Sequence, residues 1–170
     1  MRKHLFAKNT SVNILTYTVI SCLLLFSFSG CGAKESSEIA QFTADMNTFY
    51  ESIAEKNEQI NALDPDDEAS VDTLLSILDS LAEDFATLDA IEVPNEYYAV
   101  DQFASEGRTY MDEAVKLYHQ ALEGDENYQN ILVAARENYR RANLRIQYIN
   151  DILEGKEPEI ETNYTTNSTE

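Results

Sequence analysis

Tryptophan is absent from the chain, and cysteine, histidine and proline occur two, two and three times in 170 residues. Each scarcity closes a class of function. His4 lies in the first thirty residues, so His119 is the single histidine of the remainder. A di-iron bundle takes a Glu-x-x-His motif from each of two helices. The residue three before His119 is Lys116, and that site is excluded. A haem would need Met111 paired with His119, but eight residues at ~100° each set the two about 80° apart around a helix. No Cys-x-x-Cys-His and no Gly-x-Ser-x-Gly occurs, which removes c-type haem attachment and the hydrolase nucleophile elbow. Many carboxylates are present, yet none is singled out as a glycosidase pair. The expectation is no cofactor, no metal centre and no enzyme, with His119 on the surface.

Positive charge is also scarce, at 12 Lys and Arg against 31 Asp and Glu. Arg2, Lys3 and Lys8 stand in the first thirty residues, which hold no acid, so the rest carries 31 acids against nine cations, a formal −22. Such a body repels nucleic acids and anionic lipid head groups. It tolerates cationic peptides and divalent ions, although solubility alone accounts for it. Asp64-Pro65-Asp66-Asp67-Glu68 offers weak calcium ligation but lacks the glycine and closing glutamate of an EF-hand. A solvated turn whose acids start the next helix is the better reading.

What is present at the N-terminus is ordered. Arg2, Lys3, His4 and Lys8 precede a largely apolar run of ten residues, Val19 to Phe28. Crossing a bilayer takes about 20 apolar residues. Backward extension meets Asn13, Thr16, Tyr17 and Thr18, so the run reads as the apolar core of an export signal. It ends in Phe28-Ser29-Gly30-Cys31. That segment resembles the bacterial lipobox, a bulky apolar residue and two small ones before a cysteine. The resemblance implies diacylglyceryl transfer to the Cys31 sulfur and cleavage just before it, with Phe28 standing where leucine is preferred. Cys22 would leave with the signal, and the modified Cys31 would have no thiol, so no disulfide is expected. Gly32 to Ser37 reaches at most ~20 Å when extended. The expected organisation is a signal peptide at 1–30, a lipid-anchored linker at 31–37, a helical domain at 38–154 and a disordered tail at 155–170.

Four stretches carry the helical apolar period, and none carries a sustained alternation. The first aligns Ile39, Phe42, Met46, Phe49, Tyr50, Ile53, Ile60 and Leu63, with Ser36 or Ser37 as its cap. The second aligns Val71, Leu74, Leu75, Leu78, Leu81, Ala82, Phe85 and Leu88. Asp64-Pro65 separates the two, and Val93-Pro94 ends the second, because a residue before proline avoids helical geometry. The third aligns Val100, Phe103, Ala104, Gly107, Met111, Ala114, Tyr118, Ala121 and Leu122, with small residues that let a neighbour approach. Gly124 suits a left-handed cap and Asp125 an N-cap. The fourth runs through Tyr128, Ile131, Leu132, Ala135, Tyr139, Ala142, Ile146, Ile149 and Leu153 to Gly155 and Pro158. Short connections make sequential helices antiparallel, so the pattern predicts an all-α, up-down-up-down four-helix bundle.

Arg136, Arg140, Arg141 and Arg145 put four cations in ten residues. As an anion site they would have to converge, whereas helical angles split them into two flanking rows expected to pair with acids of adjacent helices. Tyr50, Tyr118, Tyr128 and Tyr139 fall on buried stripes. Tyr98, Val133, Leu144 and Tyr148 fall off theirs and are the candidates for an exposed partner surface. The triplets at Asn163 and Asn167 match a glycosylation pattern and are read as chance. Leu88 to Tyr97, ending Val-Pro-Asn-Glu-Tyr, resembles segments of small helical lipoproteins of Gram-positive-type cell envelopes, a likeness that implies no activity. The reading is a lipoprotein held in the membrane by a covalent acyl anchor, on the extracytoplasmic side. It binds envelope proteins without catalysis; the alternative is capture of divalent cations or small cationic ligands.

Overall fold

The computed structural model describes residues 37–64, 66–67, 69–124 and 128–161. Four helices account for most of them: α1 at Ser37–Asn61, α2 at Ala69–Asp89, α3 at Ala99–Leu122 and α4 at Tyr128–Leu153. A single 3-10 turn, Asn95–Tyr97, follows Pro94 in the connection between α2 and α3. No strand occurs among the described residues. The expected caps Ser36 and Asp125 lie outside them.

Side-chain contacts fix the directions. Asp79 and Asp89 of α2 meet His119 and Arg108 of α3. Glu106 and Tyr110 of α3 meet Arg145 and Arg141 of α4. Tyr50 and Asn57 of α1 bond Asn150 and Tyr139 of α4. In each pair early residues face late ones, so the helices alternate up and down as a four-helix bundle.

The apolar stripes form the core. Phe42, Met46, Phe49 and Ile53 of α1 are buried at the expected three- and four-residue steps. Leu75, Leu78, Leu81, Phe85 and Leu88 do the same for α2. Along α3 the small residues Ala104, Gly107, Ala114 and Ala121 are all buried, and they face a neighbour that buries Ala135 and Ala142. Missing side-chain bulk lets backbones come close, and Gly107 shows the limit. A Cβ there would lie 3.1 Å from a ring carbon of Phe85 and 3.4 Å from Cβ of Arg145.

Two glycines end helices as their positions predict. Gly124 has φ +113° and Gly155 φ +73°, a region that side chains disfavour. Around Gly155 its own N–H bonds Ile152 O at 2.9 Å, and that of Lys156 bonds Asp151 O at 2.7 Å. This paired closure is a Schellman turn, which reverses the chain at the helix end. Residues 155–161 then run back along α4, where composition alone predicts disorder. The backbone N–H of Glu161 donates to the Tyr148 hydroxyl at 2.8 Å. Residues 162–170 of the expected tail lie outside the described residues.

Candidate functional site

Cys31, with Phe28, Ser29 and Gly30, lies outside the described residues, and α1 begins six positions after it. No described helix is long and apolar enough to cross a membrane. Among the described residues no group of three or more His, Cys, Asp or Glu side chains is arranged to hold a metal ion. In the acidic turn, Asp64 Oδ1 accepts from the Asp66 N–H at 2.9 Å and Asp67 Oδ1 from the Ala69 N–H at 3.0 Å. These carboxylates stabilise the turn and the start of α2, where helix N–H groups lack partners.

The four proposed surface residues do not form one patch. Tyr98 is 78% exposed and Val133 65%, but they sit at opposite ends of the bundle, in the approach to α3 and the first turns of α4. Leu144 is half-buried and packs against the core. Tyr148 is the plain correction, because it is 3% exposed. Its ring meets Phe103 edge-on at 5.2 Å, the Arg145 guanidinium covers it at 5.6 Å, and the returning chain reaches its hydroxyl. Periodicity placed it off the stripe; contacts from α3 and from beyond the helix cover it.

Besides the pairings of Asp89 with Arg108, Tyr50 with Asn150 and Asn57 with Tyr139 between helices, three larger polar clusters stand out among the described residues. The first joins α1 to α2. Lys56 Nζ donates to Ser52 Oγ at 2.6 Å and contacts Asp84 at 2.8 Å, while the Ser52 hydroxyl lies 3.0 Å from both Asp84 oxygens. A serine beside a lysine suggests nucleophilic catalysis. Here the lysine Nζ is shared between the Asp84 carboxylate and the serine, so the three side chains join α1 to α2. The trio is an interhelical clip. Its only signal in the sequence was the four-residue spacing of Ser52 and Lys56.

The second cluster centres on His119, whose Nε2 lies 2.8 Å from Asp79 of α2 and Nδ1 3.0 Å from Glu123. The hydrogen bonds to Glu123 and then Asp79 raise its pKa above the ordinary histidine value. A group bound more tightly to its proton when folded stabilises the fold fully below the unfolded value of about 6.5, and loses that contribution as pH climbs through the folded one. Urea unfolding of the wild type and of His119→Gln should therefore differ more at about pH 5.5 than at about pH 8.5. Equal gaps would refute the clip.

The third cluster is the arginine row of α4. Only Arg145 follows the expected rule of pairing across helices, with Glu106 of α3 at 2.8 Å. Its guanidinium also lies 4.8 Å from the ring centre of Tyr110, a geometry in which ring and cation attract. Arg140 and Arg141 instead share Glu137 on their own helix at 3.0 and 2.9 Å. The i+3 and i+4 spacings place that carboxylate nearer than any neighbouring helix. The hydrogen bond from Arg140, against the opposing effect of burial, holds the Glu137 carboxyl down at about 2. Burial pushes the Tyr118 phenol up to about 12, against the lowering effect of the Arg136 charge. Arg140 has a second partner, the returning Glu161, at 3.2 Å from Nη1 and 3.1 Å from Nη2.

Two concavities mark the described surface. Phe42, Met46, Tyr50, Tyr97 and Leu153 edge a cleft of about 30 Å³, room for one water. A more open, polar groove of about 280 Å³ lies between α1 and α2, lined by Glu55, Lys56, Gln59, Ser76, Ile77 and Ser80, at the lower edge of the volumes small-molecule sites have. The class defined so far is an acidic, all-helical four-helix bundle with polar clips between its helices. Among protein families, curated proteins and solved structures, none matches the chain.

Proposed function

We propose that the protein is a lipoprotein tethered to the extracytoplasmic face of a membrane, and that its helical body is a non-enzymatic module binding envelope proteins. The observation that carries the tether is Phe28-Ser29-Gly30-Cys31, set directly behind an apolar run too short to span a bilayer. The start of α1 at Ser37 supports it, since six residues hold the body within ~20 Å of the anchor. The binding role is supported by a body whose clips tie helices together and whose exposed apolar side chains include Tyr98 and Val133. Cation capture finds less support, because Asp64 and Asp67 are turned onto backbone amides.

The test is the intact mass of protein purified from the membranes of its own cells, with crosslinking in intact cells to identify its neighbours. The expected product starts at Cys31 and carries a diacylglyceryl group there. An unmodified cysteine, or a start at another residue, would overturn the tether. Crosslinks to lipid alone would overturn the partner role.

A further inference from the structure

The segment that returns after Gly155 lies on the bundle as a ligand would. Ile160, its one large apolar side chain, is 57% exposed, and residues 155–157 and 159–161 are exposed as well. Among the described residues its polar contacts with the helices, beyond the closing turn at Gly155 and Lys156, are those of Glu161. The Glu161 carboxylate takes two hydrogen bonds from Arg140, and its backbone N–H donates to Tyr148. A two-pronged carboxylate contact plus a main-chain bond is how proteins grip an extended acidic peptide.

The receiving groups are held in place by others. Glu137 takes Nε and Nη2 of Arg140, each at 3.0 Å, which fixes the guanidinium plane and turns its far edge outward. Phe103 and Arg145 fix the ring of Tyr148. Charge agrees with this placement. From Arg136 to Arg145 there are four arginines and one acid, a positive strip on a body that is otherwise strongly negative. Val133 precedes Arg140 by seven residues, which brings it to the same face of α4, and it is exposed.

We infer that Arg140 and Tyr148 form a receiving site for an extended peptide bearing a carboxylate, filled in cis by Glu161, and that a protein partner docks on α4 by displacing that segment with an acidic one of its own. Exchange of one carboxylate for another conserves the bonds at Arg140. The cis segment holds the advantage of a short connection, equivalent to roughly millimolar concentration, and a partner overcomes it with an apolar contact at Val133. The inference does not depend on the lipid tether.

The test uses the full chain and an amidated peptide, Lys-Glu-Pro-Glu-Ile-Glu, copied from residues 156–161. Binding is followed through the Arg140 side-chain and residue 161 amide signals in nuclear magnetic resonance spectra. Glu161→Gln should bind the peptide at least ~10-fold more tightly than the unaltered chain, because the intramolecular competitor is weakened. Arg140→Gln added to Glu161→Gln should abolish binding, and so should a glutamine in place of the last glutamate of the peptide. Equal affinity for the unaltered and Glu161→Gln chains, no binding to either, or binding that survives loss of Arg140 would each overturn the site.

Discussion

On the proposed tether, replacing Cys31 with serine should move the protein from the membrane fraction to the soluble fraction. Each buried methylene of an acyl chain contributes ~0.8 kcal/mol, one chain alone binds marginally, and two anchor durably. Serine has no thiol to receive the diacylglyceryl group, so the change removes both chains at once. Nothing described on the body replaces them. No described helix can cross a membrane, and the part after residue 30 carries 31 acids against nine cations, which anionic head groups repel. The variant should fold as before, because the substitution lies six residues ahead of α1. Fractionation in high salt, with circular dichroism on the released protein, measures both parts. Retention of the folded variant in the membrane would reject the acyl anchor.

Phe85→Ala lowers the unfolding free energy by about 3–5 kcal/mol, the range for emptying a buried aromatic site. Phe85 is 1% exposed, packs edge-on to Phe49 at 5.7 Å between centroids and fills the space that Gly107 leaves open. It ties α1, α2 and α3 together at one point. For a domain stable by roughly 5–15 kcal/mol, the loss is a large share. The same geometry gives a sharper test by double-mutant cycle. In the wild type, Gly107→Ala gains up to ~1 kcal/mol of helix propensity but presses its methyl group 3.1 Å from the Phe85 ring. In the Phe85→Ala background that pressure is gone, so the same substitution should stabilise more. Additive effects by denaturant unfolding would show that the two positions do not meet.

Much of this architecture was legible from spacing. The stripes of α1 to α3 went where their period directed, since burial of an apolar face dominates the placement of a helix. Gly124 and Gly155 closed helices because their positive φ suits glycine. What could not be read were contacts made by chain that returns from elsewhere. Tyr148 falls off the α4 stripe, and only Phe103, Arg145 and the segment beyond Gly155 cover it. Asp79 reaches His119 from forty residues away. Asp84 completes the clip with Ser52 and Lys56 from the next helix. The arginine row was legible as a row but not in its pairings, because Glu137 lies within reach of two arginines and takes both.

An even number of helices brings a chain back to the level where it entered. Ser37, the approach to α3 and the reversal at Gly155 therefore share one end, and the turns near residues 64 and 124 share the other. At 1.5 Å per residue, the 25 residues of α1 set those ends ~37 Å apart. A label inserted near residue 64 would thus project toward whatever approaches from the far side, whereas the segment beyond Gly155 carries Glu161 back up to the level of Arg140, midway along α4.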